Sequence, residues 1–180
     1  MVSSSYPNRG MNLILLTTHL RYLYESERCH EALPLMNIAL QHITDKTSLT
    51  YAIATDILGL LQLDTNNPKS ALANFLTTLQ IRRNNPPTSG FIASSFNLVS
   101  LAYTELRDWE TAASYQQQAM AIRLAANDPK IGNSYSNMAS ILLGMGKPDE
   151  AEEMLMRCPS LEGMSDEDFL TTDNPRIARY

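Results

Sequence analysis

The residues able to do chemistry are few, and their spacing assembles no reaction centre. Three histidines, His19, His30 and His42, are the natural metal ligands. His30-Glu31 begins a pattern that on a helix would set two imidazoles one turn apart around zinc, but position 34, where the second histidine belongs, is proline. Cys29 and Cys158 stand far apart and complete no zinc site either. The carboxylate pairs Asp149/Glu150 and Asp166/Asp168 read as solvated caps rather than as a general acid and its base. There is no glycine-rich phosphate loop and no serine- or cysteine-centred elbow. The expectation is a chain with no catalytic residue, no metal and no cofactor.

The bulk numbers narrow the remaining classes. The chain has 180 residues, which suits one domain. An apolar content of 44% with 18% charged residues describes a folded chain rather than a disordered one. A net charge of −5 argues against nucleic acid or an anionic membrane as partner, since both demand a basic footprint. The only apolar run near the start, Leu13 to Leu16, is too short for a signal core or a membrane span. With no plausible disulfide, a reducing compartment follows, and the cytoplasm is the expected location.

What remains to explain is the positioning of side chains on helices. Residues 92–122 read as two antiparallel amphipathic helices joined at Arg107-Asp108. Phe96, Val99 and Tyr103 share one face of the first, at spacings of three and four. Ala112, Tyr115 and Ala119 line the second, where small residues let two backbones approach. Asp108 is placed to cap that second helix. Such a hairpin cannot cover both its outer faces and needs neighbours of its own kind.

Those neighbours are in the sequence. The step that places Ala112 after a turn recurs at Ala32, Ala71 and Ala151, with spacings of 39, 41 and 39 residues. Seven positions after each alanine come Ala39, Thr78, Ala119 and Cys158. Twelve before come Leu20, Gly59, Ser100 and Ala139. Seven of these eight are small, where chance would supply two or three. Cys29 and Cys158 are accordingly read as small fillers of helix packing.

Small residues in these columns and an aromatic at the turn, here Trp109, resemble the tetratricopeptide repeat family. The likeness is to the longer repeats of kinesin light chains and of multi-repeat proteins common in filamentous fungi. Residues 136–155, SNMASILLGMGKPDEAEEML, and 31–40, EALPLMNIAL, carry it best. It covers roughly residues 11–157. The resemblance implies an all-α fold, a right-handed solenoid of about four helix-turn-helix repeats, acting as a binding scaffold and not as an enzyme.

On that basis residues 1–10 form a flexible tail, 11–158 hold four repeats (about 11–43, 48–83, 91–126 and 129–158), and 159–180 form a loop with a truncated start of a further helix. Eight helices are expected, the first over residues 12–24 and the second over 29–42 despite Pro34. Asn67 with Pro68, Pro129, and Pro148 are placed to open helices; Asn127 and Gly146 fit the left-handed position past a helix end. Arg82 and Arg83 suit a helix C-terminus. Residues 165–170, SDEDFL, form at most one turn.

In tetratricopeptide arrays the first helix of each repeat lines a concave groove. The resemblance therefore makes Arg21, Asp56, Asn97, Asn133, Asn137 and Ser140 the candidate peptide-binding residues. Asparagine is useful there because its amide both donates to and accepts from an extended backbone. The basic clamp that chaperone-binding relatives use on acidic tails would need Lys and Arg on these helices, and only Arg21 qualifies. The expected function is a scaffold that binds a partner peptide or helix, with no nucleic acid and no membrane as partner. Alternatives are a structural oligomerisation or spacer module, and an accessory factor of a biosynthetic or signalling pathway. Met154, Leu155 and Met156 near the end of the array add an expectation of self-association through the C-terminal hairpin.

Overall fold

A computed structural model describes residues 29–85 and 89–158. The expected first helix with Arg21, the N-terminal tail, and residues 159–180 with their two short expected segments lie outside them. The described residues form helices and no strand: α1 (Cys29–His42), α2 (Leu49–Asp64), α3 (Pro68–Asn84), α4 (Ser89–Glu105), α5 (Trp109–Ala126), α6 (Ile131–Gly144) and α7 (Pro148–Met156). Each packs on the next in sequence. Beyond that, α2 touches α4 and α4 touches α6, while α3–α5 and α5–α7 show no comparable contact. A layer whose successive members meet is the inner side of a curved stack. The helices α2, α4 and α6 form that inner layer, and α3, α5 and α7 the outer one.

Three turns within hairpins share one geometry. Asn66, Arg107 and Gly146 each take a left-handed conformation, with φ of 58°, 60° and 74°. They stand 41 and 39 residues apart and give the repeat an internal ruler. The helix that follows each begins two residues later, at Pro68, Trp109 and Pro148. Asp108 Oδ1 accepts from the Thr111 N–H at 3.2 Å, the capping bond expected of it. Asn67 stands at the cap of α3 without a side-chain bond, and Pro68 opens the helix at its first position.

Between hairpins, the turns differ. Asn127 takes the left-handed position after α5, as expected. Pro129, however, does not open α6, which begins at Ile131. Asp128 Oδ1 captures the Lys130 N–H at 2.9 Å, and this local turn delays the helix by two residues. The 43–48 break is organised similarly by Asp45. Its carboxylate accepts from the Thr47 hydroxyl at 2.7 Å and the Thr47 N–H at 2.9 Å, which holds its carboxyl below the usual range. Ser48 then caps α2 by accepting from the Tyr51 N–H at 3.2 Å.

The core follows the small-residue columns. Ala32, Ala71, Ala112 and Ala151 are all buried, as are Ala39, Thr78 and Ala119. Gly59 lies against the ring of buried Phe75, with no room for a Cβ. Gly144 does the same for Trp109, whose Cζ3 would stand 2.6 Å from an added Cβ. Tyr103 stacks on Tyr115 with ring centroids 5.7 Å apart, and its partial burial raises the phenol above its ordinary range.

Candidate functional site

Counting from the three left-handed turn residues gives a strict alignment of the inner helices. It places Ile53, Ile57, Leu60 and Asp64 of α2 in the same columns as Ser94, Leu98, Leu101 and Glu105 of α4. The corresponding residues of α6 are Asn133, Asn137, Ser140 and Gly144. Steps of four, three and four hold these residues on one stripe of each helix. Ile53, Glu105, Ser140 and Gly144 are exposed, Ile57, Leu60, Asp64, Ser94, Leu101 and Asn133 are half-buried, and Leu98 and Asn137 are buried. Three stripes thus lie side by side on the inner layer. The surface runs from apolar on α2 and α4 to amide and hydroxyl on α6.

Asn133, Asn137 and Ser140, expected in a groove, all belong to the α6 stripe. Ser140 keeps its hydroxyl near its own helix, donating to the Ser136 carbonyl at 3.2 Å. Asn137 is 8% exposed and donates through Nδ2 to Asn97 Oδ1 at 2.6 Å. Asp56 and Asn97 differ from the other three. They occupy the column one residue earlier on their helices, a rotation of about 100°, although Asp56 is no less exposed than Asn137. Asn97 is fully buried. Asp56 Oδ1 accepts from the Thr78 hydroxyl at 2.6 Å, and Oδ2 pairs with Arg82 Nη2 at 2.6 Å.

That inward column opens onto polar chemistry the sequence reading missed. Arg82 and Arg123 stand in one column of the outer layer, and Ser95 and Ser134 in one column of the next inner helix. Arg82 Nη1 donates to Ser95 Oγ at 2.6 Å, and Arg123 Nη1 donates to Ser134 Oγ at 2.8 Å. The same clasp therefore closes two successive junctions between hairpins. Arg123 also donates to the Lys130 carbonyl at 3.1 Å, and Gln116 Nε2 to the Ser134 carbonyl at 3.1 Å. Arg82, expected to suit a helix C-terminus, stands in the last turn of α3 and is only 4% exposed. The one signal for this was its recurrence at Arg123, 41 residues on.

None of these groups is arranged for covalent chemistry. Among the described residues no three His, Cys, Asp or Glu side chains gather to hold a metal ion. His30, His42, Asp149 and Glu150 are exposed, and Cys158 is a free thiol whose sulfur donates to the Gly132 carbonyl at 3.5 Å. No described helix is long and apolar enough to cross a membrane.

The family model described as tetratricopeptide repeat matches residues 91–158. This stretch is a pair of tetratricopeptide repeats. The hairpin of α2 and α3 before it keeps the same ruler and the same clasp. The whole described chain has the fold, an all-α solenoid like that of tetratricopeptide proteins. BtubC (BKLC) from P. vanneervenii superposes with a TM-score of 0.71 at 16% identity, over 85% of this chain and 65% of that one. The apo form of RapI gives 0.72 at 15% identity, over 84% and 56%. A putative kinesin light chain from Podosopora anserina, described as nearly identical TPR-like repeats, gives 0.70 at 15%, over 86% and 78%. The chain thus spans less than two thirds of the first two proteins' lengths. No match is found among curated protein sequences. Tetratricopeptide repeats generally serve in protein–protein interaction and are generally not catalysts.

Proposed function

We propose that the protein is a non-enzymatic scaffold that holds a partner peptide or helix along the inner face of α2, α4 and α6. The observation that carries the reading is the set of three aligned stripes, which present apolar, amide and hydroxyl groups at a constant period. A stacked solenoid supplies a rigid platform, so the partner alone loses conformational freedom on docking. Each hydrogen bond to the partner contributes about 0.5–1.5 kcal/mol net, so several stripe residues act together. Within this proposal Asn133 and Ser140 contact the partner directly, and the buried Asn137 lies beneath them, bonded to Asn97. Asp56 and Asn97 support the surface from below, and Arg21 lies outside the described residues. The free Cys158 and the acidic balance suit the cytoplasm as its setting. A photo-crosslinking side chain placed at Ser140, and separately at Gln117 on the outer layer, tests the reading in extracts of the source cells. Discrete adducts from position 140 alone are expected. Equal adducts from both positions, or none from 140, would overturn it.

One observation favours oligomerisation in addition. Leu155 shares a column with Phe75 and Gln116, which are fully buried, yet it is 50% exposed. Its neighbour Met156 is 75% exposed. In this second reading α7 is covered by the same helix of another copy. Light scattering across a hundredfold concentration range would show the mass rising, and Leu155→Lys would hold the chain monomeric. A constant monomer mass in the unmodified chain would exclude it.

A further inference from the structure

The core cluster at the C-terminal end of the described array is packed with methionine. Its buried members are Met138, Ala139, Leu142 and Ala151, and Met120, Met145 and Met154 are half-buried against them. Four of the five large side chains that join α5, α6 and α7 there are thus thioethers. The earlier clusters are built otherwise. Among the described residues, the first contains Met36 as its single methionine and the second contains none. The turn ruler makes the exchange plain. Met120 stands in the column of Leu79, Met138 in that of Leu58 and Val99, and Met154 in that of Tyr115. Positions that take a branched or aromatic side chain in one hairpin take the unbranched one in the next. Methionine fills such gaps well, being flexible and polarizable. It differs from leucine in one reaction, oxidation at sulfur.

We propose that Met120, Met145 and Met154 form a site of reversible oxidation by hydrogen peroxide, and that their sulfoxides loosen the α6–α7 hairpin. The sulfur lone pair attacks one peroxide oxygen, and the S–O bond forms as the O–O bond breaks. The departing hydroxide takes the remaining proton of the attacked oxygen and leaves as water. Sulfur is oxidised by two electrons and the peroxide reduced by two. Each of the three residues keeps part of its surface in water, so a small oxidant reaches it in the folded chain. Met36 at 0% and Met138 at 5% exposure are shielded. A sulfoxide brings a strong dipole into a cluster of apolar side chains. Its oxygen either forgoes hydrogen bonds to water or draws the side chain out of the packing. The helix with least to hold it is α7, which has nine residues and buries Ala151 alone. Methionine sulfoxide reductases, one for each sulfoxide epimer, return the thioether and close the hairpin again. Asn133 and Ser140 ride on the same α6, so oxidation also disturbs the polar end of the inner face. That last consequence rests on the inner face being the binding face; the modification does not.

The test treats the full chain with graded hydrogen peroxide and then with dithiothreitol, which reverses cysteine sulfenate and disulfide but leaves methionine sulfoxide. Peptide mass mapping locates each added oxygen. Met120, Met145 and Met154 are expected to oxidise at doses that spare Met36 and Met138. The melting temperature should fall by roughly 5 °C, and amide exchange should quicken in α6 and α7 while α2 and α3 stay unchanged. Both reductases together should restore the melt. Combined Met120→Leu, Met145→Leu and Met154→Leu nearly conserves volume and keeps Met36, Met138 and Met156. It should hold its melting temperature through the same doses. Circular dichroism checks its fold before oxidation; if it is unfolded, the three single leucine variants decide, each expected to shrink the fall. Oxidation of the three residues no sooner than Met36 and Met138 overturns the site. Sulfoxides there without a lower melt overturn the loosening. A fall that the reductases leave in place overturns the reversibility. An equal fall in the leucine variants assigns the effect to other residues and overturns the proposal as a whole.

Discussion

Asn137 of α6 donates its side-chain amide to Asn97 of α4 across 2.6 Å, although the two stand in different columns of the repeat. The bond joins two buried amides on neighbouring inner helices, so it ties α6 to the interior of α4. Asn97→Ala should therefore cost about 1–3 kcal/mol, because it strands a polar partner in a dry site. Ser140→Ala, on the same stripe but exposed, should cost under about 0.5 kcal/mol. Urea unfolding of both variants decides this, and equal midpoints would contradict the burial assigned to Asn97.

Ala112 lies at a helix crossing with no exposed surface, and Ser100 Oγ donates to its carbonyl at 2.8 Å. Ala112→Leu is expected to lower stability by about 1–3 kcal/mol through overpacking. Gln117→Leu, five residues on and exposed, should change it by less than about 0.5 kcal/mol. Thermal melts that coincide would refute the crossing.

Gly59→Ala is expected to destabilise, although alanine is the better helix former by about 1 kcal/mol. The added Cβ enters the ring of Phe75. A second change, Phe75→Leu, should make Gly59→Ala less harmful than it is alone. A double-mutant cycle with no coupling would show that the ring yields without cost.

Arg82→Met should be the most damaging of these single changes. It leaves Asp56, whose side chain is 11% exposed, without its guanidinium partner, a loss of about 3–5 kcal/mol. Adding Asp56→Leu should recover most of that, since an apolar pair of similar volume needs no counter-charge. The arrangement is disproved by a single-variant cost under about 1 kcal/mol.

Arg107 holds φ at 60° in a position where Gly146 sits without a side chain. Left-handed backbone costs a residue with a Cβ roughly 1–2 kcal/mol. Arg107→Gly should therefore stabilise the chain by about 0.5–1 kcal/mol after the added freedom of the unfolded glycine is subtracted. Asn66→Gly should gain less, as asparagine tolerates this region. Unfolding midpoints that fall for Arg107→Gly would show the turn to be unstrained.

The repeat period and most helix ends were legible because each rests on local chemistry. The alanine step, the Asp108 cap, Asn127 and Gly146 act within a few residues of themselves. Rotation about the helix axis was not legible. Asn97 and Asn137 look equivalent by type, yet the turn residues pair Asn97 with Ser136 and Asn137 with Leu98. One position changes the column and the neighbours each amide meets, although both side chains are buried. The clasps were hidden for a related reason. Arg82 next to Arg83 suits a helix terminus, and nothing local tells that Ser95 lies within reach of one arginine and not the other.

The two arginine–serine clasps also bear on how hairpins find their places. Chemically alike junctions are interchangeable in principle, so a hairpin could settle on the wrong neighbour while the chain folds. What distinguishes them is the inward residue of the preceding inner helix: a carboxylate, Asp56, at one junction and a neutral amide, Asn97, at the other. An arginine that leaves the Asp56 site for the Asn97 site abandons a buried negative charge. That asymmetry labels the junctions and writes the order of the stack into its interior.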